Sequence, residues 1–339
     1  MAEIYLEFEK PIAEIKHRIE EWESLAATSK VDMSDELAML RKRLDETTRD
    51  IFTQLTPWQR VQLARHPERP YTLDYVNMLF TDFLELHGDR RFGDDNAMVG
   101  GFAKLDGKKV MVIGTQKGRD VRTNKLRNFG WPHPEGYRKA LRLMHLADEA
   151  NCPIVTFVDT PGAFPGIASE ERHIGEAIAK NMHDMFGIRV PIISVIIGEG
   201  GSGGAIGIGV GNRVLVMENA YYSVITPEGC AAILWKDRKF AETAAQALRL
   251  TATDLLDLGV ADDVVPEPMG GAHRDPRGAA ENLRAALVKH LGELRGCSGK
   301  KLMDDRYAKF RSMGKIIQLE ETADAESESA AEVHDPAGN

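Results

Sequence analysis

Apolar residues first recur at helical spacing. Ile12, Ile15, Ile19, Trp22 and Ala26 alternate steps of three and four, and Pro11 suits the first turn of a helix. Ser34 is read as an N-cap, after which Leu37, Leu40, Leu44, Thr48, Ile51 and Leu55 form a similar stripe. Each stripe is only a narrow seam, which predicts two helices packed on each other or on a partner. Pro67 and Pro70 break the next stretch, and a third helix is expected over about Leu73–Leu86.

From Gly100 the pattern shifts to short apolar runs. Ala103–Leu105 and Val110–Ile113 flank Asp106-Gly107, a hairpin signal. Tyr137, Ala140, Leu141, Met144 and Ala147 mark an amphipathic helix, and Ile154–Val158 a strand. Ile174, Ile178, Met182 and Met185 mark another helix, with Glu170 and Glu171 near its positive end. Ile192–Ile197 is apolar on both faces, as a parallel strand covered on both sides would be. A glycine-rich turn leads into Ala205–Val210, and Val214–Met217 is the next strand. Helices over about Ala241–Leu250, Ala279–Leu294 and Asp304–Met313 follow. The series argues an α/β core. It divides the chain into a helical region (1–95), a core (96–268), C-terminal helices (269–315) and an acidic tail (316–339) whose composition predicts disorder.

The 339 residues are 43% hydrophobic and 28% charged, which excludes collagen-like and globally disordered classes. Seven acids in Glu320–Asn339 supply all but two of the nine net negative charges. A nearly neutral body lacks the basic excess of a bulk nucleic-acid binder. No run approaches the roughly 18 apolar residues of a membrane span. The acidic N-terminus lacks a signal-peptide core, so a cytoplasmic location is expected. Cys152, Cys230 and Cys297 are far apart and odd in number, and read as reduced thiols. With no CxxC pair or HExxH, no metal site is expected on this chain.

The densest chemical signal is Gly198-Glu199-Gly200-Gly201-Ser202-Gly203-Gly204-Ala205, directly after an apolar strand. Five glycines in seven positions let the backbone turn tightly and approach something closely. A helix starting near Ser202 or Gly203 would aim free amides at a phosphate or an oxyanion. Three chemistries fit. Gly198-x-Gly200-x-x-Gly203 matches a dinucleotide fingerprint, with Glu218 where a ribose-binding acid belongs. Gly200-x-Ser202-x-Gly204 matches a nucleophile elbow, with His273 and His290 available as bases. The third is a backbone oxyanion hole without a nucleophile.

A second glycine turn, Asp159-Thr160-Pro161-Gly162-Ala163-Phe164-Pro165-Gly166, also follows a strand. Two such turns on neighbouring strands would face one crevice. A dinucleotide fold does not need the second, whereas acyl chemistry through an enolate charges more than one oxygen. Asp159 is a candidate acid, though such residues more often satisfy turn amides. Lys117, Arg119, Arg122, Lys125 and Arg127 put five cations in eleven residues, read as a loop. It is either a solvated run or a clamp for an anion such as the phosphates of a nucleotide-tailed thioester. Thr226-Pro227 reads as a capped helix start, and Cys230 as a buried structural thiol.

These two turns resemble the alpha-subunit family of the bacterial acetyl-CoA carboxylase carboxyltransferase. Further matching segments are Arg65–Tyr75, Asn128-Phe129-Gly130, Pro134–Met144, Ser223–Cys230 and Pro266–Arg274, so the resemblance spans residues 5–312. It implies an α/β, crotonase-type spiral of ββα units with N-terminal and C-terminal helical extensions. It implies carboxyl transfer from carboxybiotin to acetyl-CoA, giving malonyl-CoA for fatty acid synthesis. Carboxybiotin would arrive on a biotin carboxyl carrier protein. A separate biotin carboxylase would use ATP, and zinc would sit only on a beta subunit, within an α2β2 assembly. Carried onto this sequence, the amides of Gly203 and Gly204 form the oxyanion hole. Gly200, Gly201, Ser202, Ala205, Gly162, Ala163 and Phe164 line the carboxybiotin site. Lys117, Arg119 and Arg122 are candidate CoA-phosphate contacts. Phe164 stands where the family often has Tyr, and Thr226 where it often has Ser. The competing readings are a stand-alone acyl-CoA hydratase or isomerase, with Glu199 or Glu228 as base, and a non-catalytic scaffold subunit.

Overall fold

The computed structural model describes residues 3–29 and 32–314; the acidic tail falls outside them. Two long helices, α1 (Lys10–Ser29) and α2 (Ser34–Thr53), form a hairpin tied by Arg41 Nη2 to Glu23 Oε1 at 2.7 Å. Burial runs from its base up one side of α1, at Ile12, Ile15 and Ile19: Ile12, Phe52 and Leu55 cluster with Leu63 of α3 (Pro57–Ala64), while Trp22 and Met39 stay exposed. Ser34 is the first helical residue rather than the cap, because Met33 holds the cap position and the Asp32 carboxylate accepts the Ser34 amide at 3.0 Å.

The expected helix over Leu73–Leu86 is two elements. Helix α4 (Thr72–Leu79) stops at Phe80, whose backbone is extended, and β1 (Thr81–Glu85) pairs antiparallel with β2 (Met98–Leu105). Thr81, Phe83 and Leu84 suit a strand, and pairing to a sheet edge overrides the apolar spacing that suggested a helix. The Asp106-Gly107 turn joins β2 to β3 (Lys108–Thr115) as expected. The segment read as a basic loop contains a helix, α5 (Val121–Leu126), started by an Asp120–Thr123 capping box. Six residues are too few to show an apolar stripe.

Then α6 (Pro134–Glu149), β4 (Ile154–Thr160), α7 (Ile167–Glu170), α8 (Ile174–Phe186), β5 (Ile192–Gly201), α9 (Ser202–Ile206), β6 (Arg213–Met217) and β7 (Tyr221–Ser223) follow in order. The chain continues through α10 (Pro227–Leu234), α11 (Ala241–Leu248), α12 (Ala252–Asp257), β8 (Asp263–Val265), α13 (Pro276–Leu294) and α14 (Gly299–Ser312). Strand order is β1-β2-β3-β4-β5-β6-β8, with β7 pairing β5. The pairs from β3 onward are parallel, and every residue of β4 and β5 is buried. One apolar core runs from Tyr75 on α4 to Leu302 on α14, so the C-terminal helices share the core of the sheet.

Two buried polar assemblies lock this arrangement. Arg306 on α14 donates to the carbonyls of Met185, Ile188 and Val190, fastening the last helix to the connection between α8 and β5. At the other end of the chain, Glu9, His66 and His273 lie together, all buried. The Glu68 amide donates to His66 Nδ1 at 3.2 Å, so Nε2 carries the proton and faces the Ile4 carbonyl at 3.2 Å. Both His66 nitrogens are thus engaged by backbone, burial pulls its pKa down to about 4, and Glu9 is shared by His273 and Arg274. The cluster acts as a clasp between the N-terminal segment and the core.

Candidate active site

The parallel neighbours β4 and β5 deliver both glycine turns to one end of the sheet. Their register runs evenly from Ile154↔Ile192 to Val158↔Ile196, then slips, and Thr160 meets Gly200. Beyond that point the two turns touch backbone to backbone. A Cβ at Gly201 would fall 2.1 Å from the Pro161 carbonyl oxygen, and one at Gly204 would fall 2.4 Å from the Gly162 carbonyl carbon. At Gly198 it would meet Asp159 Oδ1 at 2.5 Å. Glycine at these three positions is what lets the turns close on each other.

Gly203 differs. It is half-buried, and a Cβ there would meet only Ile178 Cδ1, at 3.7 Å. Packing does not require glycine at this position. Helix α9 begins at Ser202, so the amides of Ser202, Gly203 and Gly204 belong to its first turn and have no partner within the helix. Gly204 itself is buried, and its carbonyl accepts the Tyr137 hydroxyl at 3.1 Å, which fixes the orientation of the turn. On the other turn, the Phe164 amide donates to the Pro132 carbonyl, and the Phe164 ring stacks on His133 at 4.2 Å between centroids. Sequence reasoning missed His133; its place just before the Pro134-Glu135-Gly136 segment was the only available signal.

Beneath the turns lies a chain of charges. Lys117 Nζ sits 2.7 Å from both Asp159 Oδ1 and Glu199 Oε2. Arg65 Nε reaches Glu199 Oε1 at 2.7 Å, and its Nη1 binds Glu228. The Tyr221 hydroxyl donates to Glu199 at 2.8 Å. Burial alone would raise Glu199, but the Lys117 and Arg65 charges outweigh it and hold the carboxyl at about 2. Burial opposes the Lys117 charge too, yet the two carboxylates raise its pKa above the usual lysine value. Asp159 also accepts the Glu199 amide at 2.9 Å, so it serves the turn as well as the ammonium.

The structure separates the three basic candidates. Lys117 is turned inward. Arg119 lies over the Tyr71 ring at 4.5 Å, pairs with Asp74 and donates to the Pro67 carbonyl at 2.7 Å. Arg122, on α5, is exposed.

Competing chemistries lose their geometry. Ser202 does adopt the left-handed backbone of an elbow (φ 54°), but its neighbours are not a triad. His273 is committed to Glu9, and His290 to Asp263 and Glu293. The strand order runs one way without the reversal that opens a dinucleotide crevice, and Glu218 accepts the Glu267 amide at 3.0 Å. Thr226 caps α10 through the Gly229 amide at 3.1 Å, and Cys230 is buried there against Ala231 and Ala244. A carboxylate held at about 2 is a weak general base, which removes Glu199 from the hydratase reading.

The family model described as acetyl co-enzyme A carboxylase carboxyltransferase-like matches residues 5–314. The acetyl-coenzyme A carboxylase carboxyl transferase subunit alpha of Thermus thermophilus is 57% identical over 92% of this chain and 99% of its own. That of Geobacter metallireducens is 56% identical over 92% and 98%. Among solved structures, transcarboxylase 12S aligns with a TM-score of 0.54 at 22% identity, over 69% of this chain and 45% of that one. The Pseudomonas malonate decarboxylase MdcD-MdcE hetero-dimer aligns with a TM-score of 0.53 at 20% identity, over 65% and 90%. These likenesses concern the fold, which is the crotonase-type α/β architecture expected. Matched along nearly its whole length, and with its site carboxylates bound up in ion pairs, the chain belongs to the acetyl-coenzyme A carboxylase carboxyltransferase alpha-subunit family, whose chemistry is carboxyl transfer rather than hydration or isomerisation.

Proposed function

We propose that this chain supplies the carboxybiotin half of a carboxyltransferase site, and that a beta subunit supplies most of the acetyl-CoA half. The observation that carries the reading is the pair of interlocked glycine turns, in which Gly203 alone has no close contact that demands glycine. In this reading the amides of Gly203 and Gly204, with Ala205 beside them, face the ureido oxygen of biotin. Gly200, Gly201, Ser202, Gly162, Ala163 and Phe164 frame the ring. As the N–CO₂ bond of carboxybiotin breaks, its electron pair moves onto the ureido group and charge develops on that oxygen. Amides already aimed there stabilise the charge without reorganising. The biotin anion then takes a proton from the acetyl methyl, and the resulting carbanion attacks the released CO₂ to give malonyl-CoA. No side-chain nucleophile is needed on this chain.

The partners follow from the same reading. Carboxybiotin comes on a carrier protein after an ATP-dependent biotin carboxylase, in the cytoplasm, and the assembly is α2β2 with zinc on the beta subunit. The projecting α1–α2 hairpin, with Trp22 and Met39 exposed, suits a role in assembly. Of the three basic candidates, this reading keeps the exposed Arg122 as a contact for CoA phosphate. No helix among the described residues is long and apolar enough to cross a membrane. The test is the reverse reaction, malonyl-CoA with biocytin, followed as acetyl-CoA formation. The chain alone should be silent and the mixture with its beta subunit should turn over. Turnover by the chain alone would place both substrate sites within it and overturn the half-site reading.

A further inference from the structure

We infer that Lys117 is a positioning residue for carboxyl transfer: its ammonium clamps the carboxyl ends of β4 and β5 and sets how the two glycine turns meet, and with it the aim of the amides at residues 203 and 204. The inference rests on the oxyanion reading of those turns. The clamp acts where the sheet ladder fails. Pairing between β4 and β5 slips between Val158 and Thr160, so backbone bonds alone do not fix the spacing there. Lys117 Nζ bridges Asp159 and Glu199 at 2.7 Å each, across that slip. Asp159 precedes Gly162 by three residues and Glu199 precedes Gly203 by four, which leaves little slack between clamp and crevice.

The lysine is itself held in place. A Cβ at Gly130 would fall 2.6 Å from Lys117 Cγ, so the stem lies directly against this glycine. Asn128, Phe129 and Gly130 are all left-handed, with φ of 48°, 54° and 78°. Two consecutive non-glycine residues in that region are strained and persist only where the surroundings enforce them. Trp131 continues the link, lying 2.9 Å from where a Cβ at Gly162 would be.

The groups around the pair define what removing the ammonium would do. Arg65 faces Glu199 but is divided with Glu228, and Tyr221 faces both Arg65 and Glu199. Arg69 is committed to Glu267, and Tyr71 lies under Arg119, which is paired with Asp74. Lys117 is therefore the cation in direct contact with Asp159. Without it, Asp159 and Glu199 lose the cation between them, and their like charges, offset only by Arg65 on Glu199, repel and spread the strand ends; acid relieves that repulsion and alkali restores it.

The experiment uses the complex with its beta subunit and measures kcat and KM for malonyl-CoA from about pH 6 to pH 8.5. Lys117→Met should lower kcat about 10²-fold at the alkaline end, the loss expected for a misplacement of roughly 1 Å, and recover part of it at the acid end. KM should stay within about two-fold of wild type, because binding is not what is lost. Lys117→Arg should restore most of kcat. Lys117→Met/Asp159→Asn should abolish the extra pH dependence. A raised KM with unchanged kcat in Lys117→Met would make the lysine a substrate contact and overturn the clamp. So would a pH-independent loss that Lys117→Arg does not rescue. If Lys117→Met does not assemble, Asp159→Asn decides: a fall in kcat at unchanged KM supports the clamp, and wild-type kcat overturns it. A wild-type complex that transfers no carboxyl group would instead sink the reading of the whole site.

Discussion

The adjacent residues Gly203 and Gly204 should respond oppositely to one added methyl group. At Gly204 a Cβ would lie 2.4 Å from the Gly162 carbonyl carbon and 2.5 Å from the Ala163 nitrogen. Comfortable contact is about 3.5–4.0 Å, so the two turns must part by roughly 1 Å. Overpacking of this kind costs about 1–3 kcal/mol, and a displacement of that size at a reacting centre costs about 10²-fold in rate. At Gly203 the nearest atom is Ile178 Cδ1 at 3.7 Å, an ordinary contact. Alanine there retains the amide and favours helix by up to about 1 kcal/mol. Its methyl, however, stands on the residue whose amide the proposed site turns toward biotin. Gly203→Ala should therefore keep or raise the unfolding free energy in urea while lowering kcat/KM for biocytin at least about 10-fold, since only glycine permits so close an approach. Gly204→Ala should lose both stability and rate. Wild-type transfer by Gly203→Ala would refute the argument that ligand approach, rather than packing, demands glycine there. Wild-type stability in Gly204→Ala would refute the interlocking of the turns.

Ser202→Ala should retain full transfer activity, because the exposed hydroxyl has no base beside it; a loss beyond about 10²-fold would restore a nucleophilic role. Arg69→Met leaves Glu267 buried and unpaired and should cost about 3–5 kcal/mol in urea unfolding, whereas Arg41→Ala at the exposed hairpin pair should cost less than about 1 kcal/mol; equal effects would refute the ranking by burial. Glu199 and Glu267 are both held at about 2, below the roughly 4.3 of an unfolded glutamate. A folded pKa lower than the unfolded one adds stability that is complete above about pH 4.3 and is lost as pH falls through about 2. Stability should therefore decline across that acid window, and Glu267→Gln should flatten the decline; a slope unchanged by the substitution would refute the assignment.

Apolar patterning located most helices and the buried strands because their periods are local. It failed where pairing decided the outcome. Residues 81–85 became a strand because β2 offered an edge, a fact no window of that length contains. The C-terminal helices could be found by their spacing, but not their membership of the sheet's own core, which depends on contacts such as Leu283 and Leu302 with distant strands. The reading of Lys117 shows the same limit. Among five cations in eleven residues it looks like its neighbours. Its partners, Asp159 and Glu199, lie 42 and 82 residues away, so the difference between a surface charge and a buried bridge is set by the fold alone.

The glycine motif makes the point most sharply, because its density was the strongest signal and its meaning was mixed. Five glycines after a buried strand suggest a backbone shaped around a ligand. The structure gives four of them to internal contacts: Gly198 to Asp159, Gly200 to the Tyr222 ring at 2.9 Å, Gly201 to Pro161, and Gly204 to Gly162 and Ala163. Only Gly203 is left without such a reason. A glycine-rich turn therefore marks close approach without saying whether the visitor is a ligand or another part of the chain. In the proposed site both apply: Gly198, Gly201 and Gly204 bring the two turns into contact, Gly200 admits Tyr222, and the amides of residues 203 and 204 are left for the ligand. Counting the glycines finds the candidate site, whereas asking what each Cβ would strike separates Gly203, the residue proposed to meet substrate, from those that pack the two turns together.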